Sequence, residues 1–120
     1  MKITFSVIKA DVGSIGGHTR PSERMLDAVR TRLDNAVRRG LLIDGVVTYT
    51  GDDIAMIMSH TRGTGGADVH RLAWDSFLAA TESARVAGLY GAGQDLLVDA
   101  PSGNVRGAGP AVAEIEFTRD

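Results

Sequence analysis

The chain has 120 residues, 43% of them hydrophobic and 5% aromatic, with a formal net charge of −2, which allows one modest, mainly aliphatic core and a single domain. That mildly acidic balance excludes wholesale attraction to nucleic acid, and the absence of Cys excludes both a disulfide framework and a thiolate zinc site. No apolar run reaches the length of a membrane span and the first residues read as a strand instead of a signal peptide, so the expectation is a cytoplasmic protein without a membrane partner.

Ile3, Phe5 and Val7 alternate with Thr4, Ser6 and Ile8, the period of a strand that ends near Lys9. A glycine-bearing loop from Val12 to His18 follows. Between Ser22 and Arg39 the apolar residues Leu26, Val29, Leu33 and Ala36 or Val37 recur at helical spacing, and Gly40 is placed to end that helix in the left-handed conformation. Leu41 to Thr50 and Ile54 to Ser59 are aliphatic runs separated by Gly51-Asp52-Asp53, which predicts an antiparallel hairpin carrying both aspartates at its tip. A polar loop, Thr61 to Gly66, leads to a second helix whose inward stripe is Val69, Leu72 or Ala73, Phe77 and Ala80 or Ala84, with Gly88 as its stop.

After Gly88 the pattern turns irregular until a last strand, in which Ala113, Ile115 and Phe117 share one face and Glu114 and Glu116 the other. The order β-α-β-β-α-β predicts an α+β fold, a ferredoxin-like split unit with two helices on one face of an antiparallel or mixed sheet.

Three short stretches place acidic or amide side chains where a strand should stop: Lys9-Ala10-Asp11, Gly51-Asp52-Asp53, and Tyr90-Gly91-Ala92-Gly93-Gln94-Asp95. Carboxylates at strand ends beside glycines can converge while the backbone leaves room for a ligand. Hard oxygen donors suit Mg²⁺ better than Zn²⁺, so the expectation is a magnesium-dependent phosphate site.

Each of these residues also has a plain structural reading. Gly-Asp-Asp is good turn chemistry, Asp11 can cap a loop, and His18 can be a solvated loop histidine. Gln94 and Asn104 suit glycine-rich turns, His60 and His70 lack metal-binding spacing and read as structural or exposed, and Trp74 reads as a core or interface aromatic.

The separated motifs Ser6 to Asp11, Gly17-His18, Gly51-Asp52-Asp53, Thr61-Arg62-Gly63, Leu89 to Leu97 and Ser102 to Gly109, taken in this order, resemble the N-terminal part of the archaeal-type fructose-1,6-bisphosphate aldolase/phosphatase family. The resemblance implies that Asp11, Asp52, Asp53 and Gln94 ligate Mg²⁺, that His18 contacts metal or substrate, and that Asp11 accepts a proton in the phosphatase step. It implies further that Tyr90, Gly103 and Asn104, with Ser102 beside them, contact substrate. The implied activity is gluconeogenic: dihydroxyacetone phosphate and glyceraldehyde 3-phosphate are joined to fructose 1,6-bisphosphate, and its 1-phosphate is removed.

Family members continue well past residue 120 and take from that region further metal-binding aspartates, a Schiff-base Lys and an acid/base Tyr. This chain has only Lys2 and Lys9, neither at the Schiff-base position. Residues 1–120 are therefore expected to be one domain, the N-terminal fragment of a longer, layered-sandwich enzyme that forms homo-oligomers when full length. Taken alone the fragment should lack aldolase activity. The alternative is a non-catalytic module that binds metal and sugar phosphate.

Overall fold

A computed structural model describes residues 1–11, 22–51, 53–86 and 110–118, with the backbone alone at 84–86. Its elements run β1 (Lys2–Asp11), α1 (Glu23–Arg38), β2 (Asp44–Thr50), β3 (Asp53–His60), α2 (Ala67–Val86) and β4 (Ala111–Thr118). The four strands form one antiparallel sheet in the order β2-β3-β1-β4. Each helix thus crosses over one strand to connect two parallel ones, β1 to β2 across β3 and β3 to β4 across β1, the split arrangement expected from the element order.

The helix α1 starts where its sequence offers a cap. Ser22 Oγ accepts from the Met25 N–H at 3.2 Å, satisfying one of the amides that the first turn leaves open. Its buried stripe, Met25, Leu26, Val29, Leu33 and Ala36, has the three- and four-residue spacing of one helix face. The end is set at Gly40, whose φ of 81° only glycine adopts without strain. The backbone amides of Leu41 and Leu42 both reach back to Ala36 O, at 3.0 and 3.4 Å. These residues therefore finish the helix instead of opening the strand, and β2 begins at Asp44, later than the apolar run suggests.

Alternation divides the sheet into two unlike faces. Ser6, Ile8 and Ala10 of β1 and Ile54, Met56, Met58 and His60 of β3 are buried, and the apolar ones share a core with Met25, Leu26, Val29 and Leu33 of α1 and Val69, Leu72, Ala73, Phe77 and Ala80 of α2. Gly45 of β2 lies on this face against Leu33, whose side-chain carbons would stand 2.9–3.0 Å from an added Cβ, so a side chain there would displace α1.

The other face has no helix over it among the described residues. It carries Phe5 and Val7 of β1, Val46 of β2, Ile57 of β3, and Ala113, Ile115 and Phe117 of β4. Phe5 and Phe117 stack there with ring centroids 5.8 Å apart, while Ile115 and Val46 remain 64% and 56% exposed. The apolar side of β4 thus points away from the helices, and its glutamates point toward them.

Candidate functional site

The strand register brings two of the expected carboxylates together. Asp11, the last residue of β1, pairs directly with Asp53, the first of β3. Directly opposed residues of an antiparallel pair hold their Cβ atoms about 5 Å apart on one face. Both lie on the open face, because Ala10 and Ile54 beside them point into the core.

Asp53 is not at the hairpin tip, as the sequence suggested. Thr50 pairs with Asp53, so the connection between β2 and β3 is only Gly51, at φ 59°, and residue 52. A two-residue connection is the shortest that joins antiparallel strands, and it draws Asp53 into the ladder. Asp52, His18, Tyr90, Gln94, Ser102, Gly103 and Asn104 lie outside the described residues, and among the described residues no three His, Asp or Glu side chains form a metal-holding group.

Sequence reasoning missed a third member of this corner. Lys9 lies two residues before Asp11 on the same face, and its Nζ stands 3.8 Å from Asp53 Oδ2. Both side chains are partly solvated, so the pair contributes at most about 1 kcal/mol. Its chemical effect is to set a cation against Asp53, beside the Asp11–Asp53 pair. The alternation that puts Lys9, Asp11 and Asp53 on one face was available in the sequence, but the register between β1 and β3 was not.

A second polar cluster sits on the helix side, towards the other end of the strands. His60 is fully buried, and its Nδ1 accepts the Arg62 backbone N–H at 3.0 Å. The neutral ring therefore carries its proton on Nε2 and donates it to Ser6 Oγ, 2.8 Å away. Ser6 donates in turn to Glu114 Oε2. Glu114 Oε1 accepts from the Gly65 N–H at 2.8 Å and from His70 Nε2 at 3.1 Å.

Ser, His and Glu in hydrogen-bond contact would ordinarily suggest an activated nucleophile. Here the polarity is reversed, since the histidine gives a proton to the serine instead of taking one, and Ser6 is fully buried. Burial pulls the His60 imidazole below its ordinary value, reinforced by Arg62 and His70 and opposed by Glu114. Burial pushes the Glu114 carboxyl up, but the hydrogen bonds from Ser6, Gly65 and His70 outweigh it and leave it below the usual range.

A cleft of about 380 Å³ between α1 and α2, lined by Arg32, Arg39, Leu41, Asp68, Arg71, Leu72 and Asp75, lies on the helix side and takes no part in the Asp11–Asp53 corner.

A family model described as "Fructose-1,6-bisphosphatase" matches residues 2–120. Proteins named fructose-1,6-bisphosphate aldolase/phosphatase are 58% identical over 117 residues in Cenarchaeum symbiosum, 56% over 118 in Thermus thermophilus and 53% over 116 in Methanocaldococcus jannaschii. These alignments take in 98%, 98% and 97% of this chain but only 30%, 32% and 30% of the respective relatives. The chain therefore spans about a third of the length of the relatives it matches, and over that span it belongs to the fructose-1,6-bisphosphatase family.

Proposed function

We propose that this chain carries phosphatase metal ligands of a Mg²⁺-dependent fructose-1,6-bisphosphate aldolase/phosphatase acting in gluconeogenesis. The observation that carries the reading is the opposition of Asp11 and Asp53 on an open sheet face in a chain of this family. Oxygen donors on opposed strand ends fit a small hard cation, for which Lys9, 3.8 Å from Asp53, is a competitor. Mg²⁺ bound there would neutralise phosphate and polarise its ester oxygen.

In this reading Asp11 and Asp53 hold metal together with Asp52, Gln94 and His18, and Asp11 also accepts a proton from the attacking water. Tyr90, Ser102, Gly103 and Asn104, with His18, bind the sugar phosphate. The substrates are fructose 1,6-bisphosphate and, for the condensation, dihydroxyacetone phosphate and glyceraldehyde 3-phosphate. The Schiff-base lysine of the aldol step is assigned to the part of the relatives that this chain does not match, since Lys2 and Lys9 both lie in β1. The full-length protein is a cytoplasmic homo-oligomer on this reading. No helix among the described residues is long and apolar enough to cross a membrane.

Phosphate release from fructose 1,6-bisphosphate tests the reading. Release that needs Mg²⁺ and falls about 10²- to 10⁴-fold in Asp11→Asn supports it, the size expected for losing a proton-accepting group. Binding of Mg²⁺ and sugar phosphate without release would instead identify a non-catalytic module. Unaltered release in Asp11→Asn would remove Asp11 from the mechanism.

A further inference from the structure

The Ser6–His60–Glu114–His70 network joins β1, β3, β4, the 61–66 turn and α2, yet it lies on the opposite side of the sheet from Asp11 and Asp53. We propose that it is an acid-released latch: it holds β4 and the 61–66 turn in place while His60 is neutral and lets them go when His60 takes a second proton.

The geometry leaves no position for that proton. His60 Nδ1 faces the Arg62 N–H, so protonation there would set two donors head to head and break the 3.0 Å bond. The ring is fully buried and cannot turn to water for a new acceptor without opening the structure around it. Release should begin at the 61–66 turn, whose Arg62 N–H loses its acceptor, and pass to β4 through Gly65, whose N–H holds Glu114. Among the described residues β4 is an edge strand paired with β1 alone, and the contacts fastening it from the helix side are made by Glu114 and Glu116.

The charged groups acting on His60 are Glu114 from β4, Arg62 from the turn and His70 from α2. From β1 it meets Ser6 and its register partner Thr4, both uncharged, and Thr4 donates to Glu116 at 3.5 Å. Lys2, at the start of β1, is engaged with Glu116 at 4.0 Å.

The sign follows from the folded ring's resistance to protonation. The unfolded chain takes the proton first, near the ordinary value of 6.5, so the stability His60 contributes is complete above that pH and is lost as pH falls below it toward the folded value. Glu114 works in the same direction but in a lower window, complete above its ordinary 4.5 and lost as pH falls through its lower folded value. In the chain, β4 begins one residue after the stretch 87–109, which holds the candidate substrate residues Tyr90, Ser102, Gly103 and Asn104. The latch therefore fixes the strand into which that stretch runs.

Amide hydrogen exchange on the whole chain tests the proposal. Between about pH 7.5 and 5.0, protection factors at Arg62, Gly65 and the β4 amides should fall by up to tenfold per pH unit, the slope of a single linked proton. Those at Val46 and Thr48 in the β2–β3 ladder should hold. His60→Gln keeps a donor toward Ser6 but cannot titrate, and should abolish the slope. An equal slope in His60→Gln, or none in the unaltered chain, would overturn the proposal.

Should His60→Gln fail to fold, imidazole nitrogen spectra of the unaltered chain decide the matter, with only three histidines to assign. His60 protonated on Nε2 at neutral pH, titrating together with the loss of protection, supports the latch. A proton on Nδ1, or a titration uncoupled from that loss, overturns it.

Discussion

Mg²⁺ at about a hundred times its dissociation constant is expected to stabilise the folded chain by about 2.7 kcal/mol, and Asp53→Asn is expected to remove most of that gain. The reasoning separates the ion-free and ion-bound states. Without the ion, Asp53→Asn relieves the opposition of two like charges across the β1–β3 ladder, a gain of roughly 0.2–1 kcal/mol, and forfeits the Lys9 pair, a loss of roughly the same size. These effects nearly cancel, so the ion-free melting temperature should change little. With the ion, only the loss of a ligand counts. Lys9→Met should do the reverse, enlarging the Mg²⁺ response by removing a competing cation. Thermal melts with and without Mg²⁺ read both variants, and a full Mg²⁺ response in Asp53→Asn would reduce Asp53 to the residue that starts a strand.

Phe77→Ala is expected to cost about 3–5 kcal/mol, a large part of the 5–15 kcal/mol by which domains of this kind are stable. Among the described residues Phe77 is the largest fully buried side chain, and it belongs to the core shared by α1, α2 and the inner face of the sheet. Its loss leaves a cavity that rigid neighbours on three elements cannot close. The next residue gives the control: Leu78 is 43% exposed, and its truncation should cost well under 1 kcal/mol. Denaturant melts of both variants decide it. A Phe77→Ala loss below about 1 kcal/mol would mean that this core is loosely packed.

The fold was legible wherever periodicity and capping agreed. Ser22, the stripe from Leu26 to Ala36 and Gly40 fix α1 to within a residue, and Val69, Leu72, Ala73, Phe77 and Ala80 fix the buried side of α2. Strand order also followed from the succession of elements. What stayed hidden depended on register and direction. Nothing local announces that Asp53 pairs with Thr50 and Asp11, which takes it off the turn and into the ladder.

The glutamates of β4 were the other blind spot. Alternation shows that Glu114 and Glu116 share a face, but an acidic face is ordinarily assigned to solvent. Here it turns inward because Ser6, Gly65 and His70 supply the donors for Glu114. His60 was read as structural or exposed, and it proves structural for a reason that spacing cannot convey: its partners lie 54 residues back and two residues ahead.

On the sheet face over which the described residues place no helix, two kinds of binding would be thermodynamically distinct. Covering Phe5, Val46, Ile115 and Phe117 withdraws apolar surface from water, which lowers heat capacity and makes the enthalpy of that event fall steeply with temperature. Seating an ion between Asp11 and Asp53 withdraws almost none, so its enthalpy should stay nearly flat. Calorimetry at two temperatures can therefore assign any event on this side of the sheet to its apolar expanse or to its acidic corner before the occupant is known.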